Sequence, residues 1–259
     1  SHIFCGKCPM CLSGDQHVCA NERIIGVTWD GVFAERVKLP MNVLWPTVLE
    51  KIRPEVAAIQ EPFGNAVHAC TPNMLGSDLR QSEMRGKTVA VFGCGTIGLF
   101  AILVARAMGA RKIIGIEPNA KNKQKALACG ADKVIDPSEH SAEEVKAFCE
   151  GYGADYCLEM SGFPSSLQQA IKGARRGGHV VLFGLSSGDV TIPQFEELIT
   201  AGKRIHAVVG RRCFSTWEIT KQLLEDRSNR IQEQIWKHVL EEGNGTILPL
   251  AEFTTERFE

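Results

Sequence analysis

The feature that most narrows the fold is an alternation of strand-like and helix-like stretches between residues 86 and 209. Strands are predicted over 87–92, 112–116, 133–135, 156–160, 179–183 and 204–209. Helices are predicted between them over 96–108, 119–130, 143–150 and 165–174. Chained strand–helix–strand units build a parallel sheet covered by helices on both faces. Gly109, Gly130 and the Gly177-Gly178 pair fall at predicted helix ends, where a positive φ is often needed. The fold class that follows is α/β, with a doubly wound parallel sheet.

One turn in this series carries a chemical signature. Between the first strand and its helix the chain reads Gly93-Cys94-Gly95-Thr96-Ile97-Gly98, a G-x-G-x-x-G. Gly93 permits the tight turn, Gly95 lets a pyrophosphate approach the backbone, and Gly98 lets helix and strand pack closely, as in a Rossmann unit. The helix N-terminus offers free N–H groups and a positive dipole end to the phosphates. An acid completes the pattern: Glu117 ends the second predicted strand, nineteen residues after Gly98. A carboxylate there accepts hydrogen bonds from an adenosine ribose and repels a 2′-phosphate, which favours NAD over NADP. Lys121 and Lys123 close behind soften that exclusion. The competing reading is a glycine turn in a domain that binds no nucleotide, with Glu117 merely solvated.

A second signature lies near the start of the chain. Cys5, Cys8, Cys11 and Cys19 stand at C-x2-C-x2-C-x7-C. Four thiolates in one short loop suit a tetrahedral zinc, and a four-cysteine site is coordinatively closed, so it is structural. An iron–sulfur cluster stands against this, since C-x2-C-x2-C also opens ferredoxin-like runs. Those runs continue with a three-residue gap and a proline, whereas here the gap is seven and Ala20 follows Cys19. Unligated thiols or disulfides are the remaining alternatives. The other cysteines are scattered, and Cys94, Cys129 and Cys157 fall in apolar or helical stretches, as free thiols do. With ten cysteines so arranged, a reducing cytoplasm is the expected location.

The formal net charge of −1 supplies no attraction to nucleic acid or an anionic membrane, and no apolar run is long enough to span one. Residues 1–45 read as short extended pieces, with strands predicted over 26–28 and 32–37, and residues 55–70 as a helix. Beyond Phe214, helices are predicted over 216–225 and 232–242 and a strand over 247–250.

A tetra-cysteine lobe upstream of a Rossmann unit resembles the zinc-dependent medium-chain dehydrogenases of the alcohol dehydrogenase superfamily. Within it, Glu61-Pro62-Phe63-Gly64-Asn65-Ala66-Val67-His68 is most similar to the L-threonine 3-dehydrogenase branch. Leu158-Glu159-Met160-Ser161-Gly162 and Val209-Gly210-Arg211 with Thr216-Trp217 share that similarity. The resemblance implies a partial, mainly β (GroES-like) catalytic domain over 1–70, an NAD-binding Rossmann domain over 71–215, and a helical return over 216–259. It implies hydride transfer from a secondary alcohol to NAD+, with threonine, a polyol or another secondary alcohol as the small-molecule substrate. It also implies a homo-oligomer with no nucleic-acid or membrane partner.

Residue roles follow from the same resemblance. Glu61 matches the acid beside a catalytic zinc; by itself it reads as a helix-start acid before Pro62. Ile97 is expected to touch the pyrophosphate. Asn122 stands where the family has a basic residue near the ribose, which puts that contact in doubt. Phe183, Gly184, Leu185, Val208 and Val209 match the lining of the nicotinamide pocket. Arg211 matches a contact to the cofactor phosphates or a cleft-closing residue, against a plain solvated arginine beside Arg212. His68 lies seven residues after Glu61 and reads as a satisfied interdomain histidine rather than a ligand. The family's remaining catalytic zinc ligands lie upstream of such a lobe. The chain is therefore expected to be truncated at both ends, holding structural zinc and NAD but not the catalytic zinc. A non-catalytic dinucleotide-binding protein is the alternative from a different class. The charged stretch 227–245 has no assigned role.

Overall fold

The computed structural model describes residues 2–74, 76–186, 188–192, 194–252, 254 and 256. The N-terminal part is held by short pieces. β1 (His2–Ile3) pairs antiparallel with β2 (Arg23–Ile24), and α1 (Pro9–Leu12) lies between them in the chain. The strands expected over 26–28 and 32–37 do not form; a single bridge joins Ile25 to Trp29 amid turns and bends. Their β-branched and aromatic residues suggested strands, but Val27, Val32, Phe33 and Val37 are exposed. Strand composition reports fitness for a half-buried pleated surface, and no such surface is offered here. The helix expected over 55–70 is two, α2 (Pro54–Ala57) and α3 (Gln60–Cys70), because Ile59 leaves helical geometry with φ −106° and ψ 15°.

The alternating region folds as its pattern requires. β3 (Thr88–Phe92) leads through α4 (Thr96–Ala107) to β4 (Lys112–Ile116), and α5 (Ala120–Ala128) leads to β5 (Lys133–Ile135). The chain then crosses through α6 (Ser141–Phe148) to β6 (Ala154–Glu159). α7 (Pro164–Gly173) and β7 (Ala174–Leu182) follow, then α8 (Phe195–Thr200) and β8 (Arg204–Ala207). All six strands are parallel, in the order β5-β4-β3-β6-β7-β8. The connections therefore reverse direction between β3 and β6, and a crevice opens at their carboxyl ends. α8 has only Leu198 buried, a pattern too sparse to register in the sequence.

Each strand residue alternates between two cores. Val89 and Val91 face one cluster, while Ala90 and Phe92 face the other, and all are essentially inaccessible. Complete burial of a valine or phenylalanine is worth roughly 1.5–3 kcal/mol, so this strand alone anchors both layers. On the first face α3 and α9 (Ser215–Glu225) pack with α4; the Phe63 and Phe100 rings meet edge to face at 5.5 Å. On the second face Val145, Ala170, Ile171 and Leu198 cover the sheet from α6, α7 and α8.

The helix expected over 232–242 is broken into α10 (Ile231–Gln234), a π-type turn (Ile235–Val239) and a 3₁₀ turn (Glu241–Gly243). Glu241 and Glu242 take φ of 48° and 57°, which ends regular helix. The strand expected over 247–250 is absent; Ile247 and Leu250 are exposed and the chain turns into Leu250–Glu252. No described helix is long and apolar enough to cross a membrane.

Candidate functional site

The glycine turn sits at the crevice between β3 and β6. Gly93 has φ +89°, and a Cβ there would lie 2.9 Å from the Ser161 Cβ across the switch point. A Cβ on Gly98 would lie 2.0 Å from the Gly93 carbonyl oxygen, so the helix can start this close to the strand only as glycine. Gly95 differs. It is the N-cap of α4, its φ of −67° is ordinary, and nothing lies within 4 Å of where its Cβ would stand. No side chain caps α4 and its first turn holds no acid. The start of the helix thus has no side-chain cap and an open face at Gly95, a cradle that suits an anionic phosphate. Ile97 is half-buried and packs on the first core cluster, leaving part of its surface beside that cradle.

Glu117 lies on the same crevice at the end of β4 and is 6% exposed. One carboxylate oxygen accepts from the Cys94 N–H at 2.8 Å, the other from the Asn119 N–H at 2.9 Å. The acid is thereby tied to the glycine turn itself, with lone pairs left over for a diol. Gly93, Gly95, Glu117 and Asn122 all line one cavity of about 800 Å³, and Ser161, Ser166 and Gln169 close its far side. Asn122 therefore lines the same cavity as the glycine turn, although it brings no charge.

Glu159 is the residue that sequence reasoning quoted but left without a role. It ends β6, is 3% exposed, and accepts from the Ser161 and Gly162 N–H groups and from the Ser161 and Ser166 hydroxyls. The loop that faces Gly93 is knitted around this one carboxylate. Gly184 packs on it from the loop after β7; a Cβ there would be 2.7 Å from the Glu159 carboxylate and 2.2 Å from the Gly162 nitrogen. A buried acid at a strand end facing the glycine turn was the available signal.

The residues expected around a nicotinamide lie beyond the walls of the large cavity. Gly184 borders an adjoining pocket of about 270 Å³. Phe183 is half-buried against the core, Leu185 is almost fully exposed, Val208 is buried and Val209 exposed. Arg211 is not solvated: its side chain is 2% exposed and its guanidinium meets Glu61 at 2.6 Å and the Asn65 side-chain oxygen at 2.7 Å. Burial pulls the Arg211 pKa down from its ordinary value, and the Glu61 charge opposes that. His68 is buried, as expected for an interdomain histidine, with Nδ1 3.0 Å from the Gly210 carbonyl oxygen.

The four cysteines converge. Their sulfurs all lie within 4.8 Å of one another, and Cys8 and Cys19 are 3.8 Å apart. A tetrahedron with Zn–S bonds of about 2.3 Å has edges of about 3.8 Å, so the donor set fits zinc. Backbone N–H groups of Cys5, Cys8 and Asn21 point at the sulfurs, as they do around thiolates. The Lys7 backbone N–H leads the effects that bring the Cys5 thiol down to about 6, while burial pushes Cys11 up to about 12. Thiols this close do not ionise together without a cation among them. All ten cysteines are free.

A family model for zinc-binding dehydrogenases matches residues 96–226, about half of the chain. The chain belongs to the zinc-binding dehydrogenase family. Among curated dehydrogenases, the L-threonine 3-dehydrogenase of Bacillus subtilis (strain 168) is 40% identical over 225 residues, covering 86% of this chain and 62% of that protein. The L-threonine 3-dehydrogenase of Caldanaerobacter subterraneus subsp. tengcongensis is 38% identical over 227 residues, 87% of this chain and 62% of the relative. The chain thus spans about three-fifths of the length of these relatives. Galactitol-1-phosphate dehydrogenase from Escherichia coli superposes with a TM-score of 0.76 at 27% identity, over 87% of this chain and 65% of its own. A zinc-binding dehydrogenase from Sinorhizobium meliloti 1021, bound to NADP, superposes at 0.74 and 27% identity, over 86% and 64%.

Proposed function

We propose that this zinc-binding dehydrogenase serves the NAD-dependent oxidation of a secondary alcohol, with an L-threonine-like substrate and a structural zinc on Cys5, Cys8, Cys11 and Cys19. The observation that carries the cofactor half is Glu117, buried on the cavity wall and bonded to the Cys94 N–H of the glycine turn. The substrate half is supported by 36–40% identity to L-threonine 3-dehydrogenases. Galactitol-1-phosphate dehydrogenase, at 27%, supports a polyol as the second reading.

When bound, the nicotinamide accepts the carbinol hydrogen as hydride. The chain's own residues hold and select the cofactor. The uncapped start of α4 donates backbone N–H groups to the pyrophosphate, beside the open face of Gly95. Glu117 accepts the ribose hydroxyls and repels a 2′-phosphate; its own oxygens are pre-aimed by the Cys94 and Asn119 N–H groups. Glu159 holds the opposing loop closed on the glycine turn. Glu61, oriented by Arg211, presents a partly exposed carboxylate at the start of α3, where a proton or a metal-bound group is received.

The test has two arms. Fluorescence titration compares NADH with NADPH, and NADH is expected to bind at least about ten-fold tighter, the worth of a hydrogen bond to a charged acceptor. Glu117→Gln narrows the ratio. Tighter binding of NADPH overturns the cofactor assignment, and binding of neither overturns the dinucleotide reading. In the natural protein, NADH formation is followed at 340 nm with L-threonine and a polyol panel. Turnover of a polyol with threonine inert overturns the substrate.

A further inference from the structure

The segment just after β8 is gripped from two sides. Gly210 takes φ +55°, and a Cβ there would stand 3.1 Å from the His2 Nε2 of the cysteine lobe. On its other side the Gly210 carbonyl accepts from His68 of α3 at 3.0 Å. Arg211 is locked to Glu61 and Asn65 of the same helix. Gln16, with its amide oriented to donate, reaches the Cys213 carbonyl at 3.0 Å from within the lobe. Phe214 stacks on Trp45 at 5.7 Å and meets the Phe4 ring at 6.3 Å. Phe4 in turn packs on the buried cluster of Cys8, Cys11 and Cys19. The lobe histidine His17, buried between Cys11 and Cys19 in the chain, meets the His68 ring edge to face at 5.3 Å.

These contacts have a direction. α3 belongs to the main core through Phe63, Ala66, Val67, Ala69 and Cys70. Among the described residues the lobe's buried apolar cluster is its three cysteines Cys8, Cys11 and Cys19, so its shape depends on what those sulfurs hold. His2, Phe4, Gln16 and His17 are spread across the same loop as the metal ligands. A lobe that closes on metal presses His2, Phe4 and Gln16 on the segment and His17 on His68, which holds the Gly210 carbonyl; a lobe that opens withdraws them together. The segment continues Val208 and Val209, and it carries Arg211 to Glu61.

We propose that the tetra-cysteine lobe is a clamp that positions Gly210–Phe214, so that metal in the lobe governs dinucleotide binding at its nicotinamide end and leaves the adenosine end unaffected. The inference rests on the cofactor reading above. It makes His2, Phe4, Gln16 and His17 positioning residues, which act through the segment rather than on the cofactor. Glu117 and Gly95 lie on the opposite side of the switch point, just after β4 and at the N-cap of α4, and share none of these contacts.

The experiment titrates NADH and ADP-ribose into protein carrying one zinc per chain, and into protein stripped with a chelator. Tryptophan emission is followed in parallel, since Trp45 and Trp217 lie beside Phe214 and Arg211. Stripping is expected to weaken NADH about ten-fold and leave ADP-ribose within about two-fold, a loss equal to one well-placed polar contact. It is also expected to shift tryptophan emission while the far-ultraviolet circular dichroism stays unchanged. Equal NADH affinity with and without zinc overturns the clamp but not the cofactor reading. Failure of the zinc-loaded protein to bind either ligand overturns the cofactor reading itself. If stripping unfolds the chain, the Phe4→Ala/Gln16→Ala double variant decides. It keeps all four cysteines, and with zinc bound it must show the same selective loss of NADH; affinity equal to the parent overturns the clamp.

Discussion

Gly95→Ala and Gly98→Ala differ by three residues in one turn, yet they are expected to fail in opposite ways. A methyl group on Gly95 meets no protein atom within 4 Å, and the backbone there is one that alanine adopts freely. The folded chain gains about 0.4–1 kcal/mol from the stiffer unfolded state and loses a similar amount because alanine is a poor N-cap. Stability should therefore stay within about 1 kcal/mol of the parent. The methyl does occupy the open face proposed for the pyrophosphate. Displacing it sacrifices one or two charge-assisted N–H contacts of about 1.5–3 kcal/mol each, so NADH affinity should fall by about ten- to a hundred-fold or more. At Gly98 the added carbon stands 2.0 Å from the Gly93 oxygen and 3.0 Å from its carbon. Strand and helix must part by more than an ångström, at a cost of about 1–3 kcal/mol or more. At this chain length each kcal/mol is about 2–4 °C in Tm. Differential scanning fluorimetry with NADH titration separates the two. A Gly95→Ala protein that binds NADH like the parent, or one that loses as much Tm as Gly98→Ala, would refute the placement of the phosphates.

Three further outcomes are expected. Phe63→Ala empties a fully buried site between α3 and α4 and should cost about 3–5 kcal/mol in urea unfolding; less than about 1 would mean that the helices do not pack as described. Burial holds His68 neutral down to about pH 4, whereas in the unfolded chain it takes a proton near 6.5. Its contribution is therefore complete above about pH 6.5 and is lost as pH falls toward 4, up to about 3 kcal/mol, and His68→Gln should flatten the stability profile over that window. An identical profile in the variant would count against this. Burial works against the Asp155 charge, but the Thr88 N–H at 2.8 Å and Arg175 at 2.8 Å outweigh it and keep its pKa low. Asp155→Asn should cost about 1–3 kcal/mol at pH 7, a difference that shrinks as pH falls below the ordinary aspartate value of about 3.9; a pH-independent difference would refute the charge argument.

Much of the frame was legible because it rests on short-range spacing. The six strands of the parallel sheet appear within a few residues of the positions that their apolar runs indicate. The glycine turn, Glu117 and the four cysteines are each defined by local intervals, and the fold brings each group together. Where spacing lacked a partner, it misled. Residues 26–28, 32–37 and 247–250 have strand composition but no neighbouring strand, and they stay as turns and irregular chain. The amphipathic pattern over 232–242 did not reveal the left-handed residues Glu241 and Glu242 that interrupt it.

What the sequence by itself determined is the parallel α/β sheet, the glycine turn with its acid, and a cluster of four sulfurs, since each depends on residues a few positions apart on a backbone of known repeat. Only the tertiary structure decided that Arg211 is buried against Glu61, 150 positions away in the chain, that Glu159 holds the wall opposite the glycine turn, and that the cysteine lobe reaches Gly210–Phe214. Those pairings follow from how helices and loops stack on the finished sheet, and contacts between distant parts of a chain leave no periodicity in it to be read.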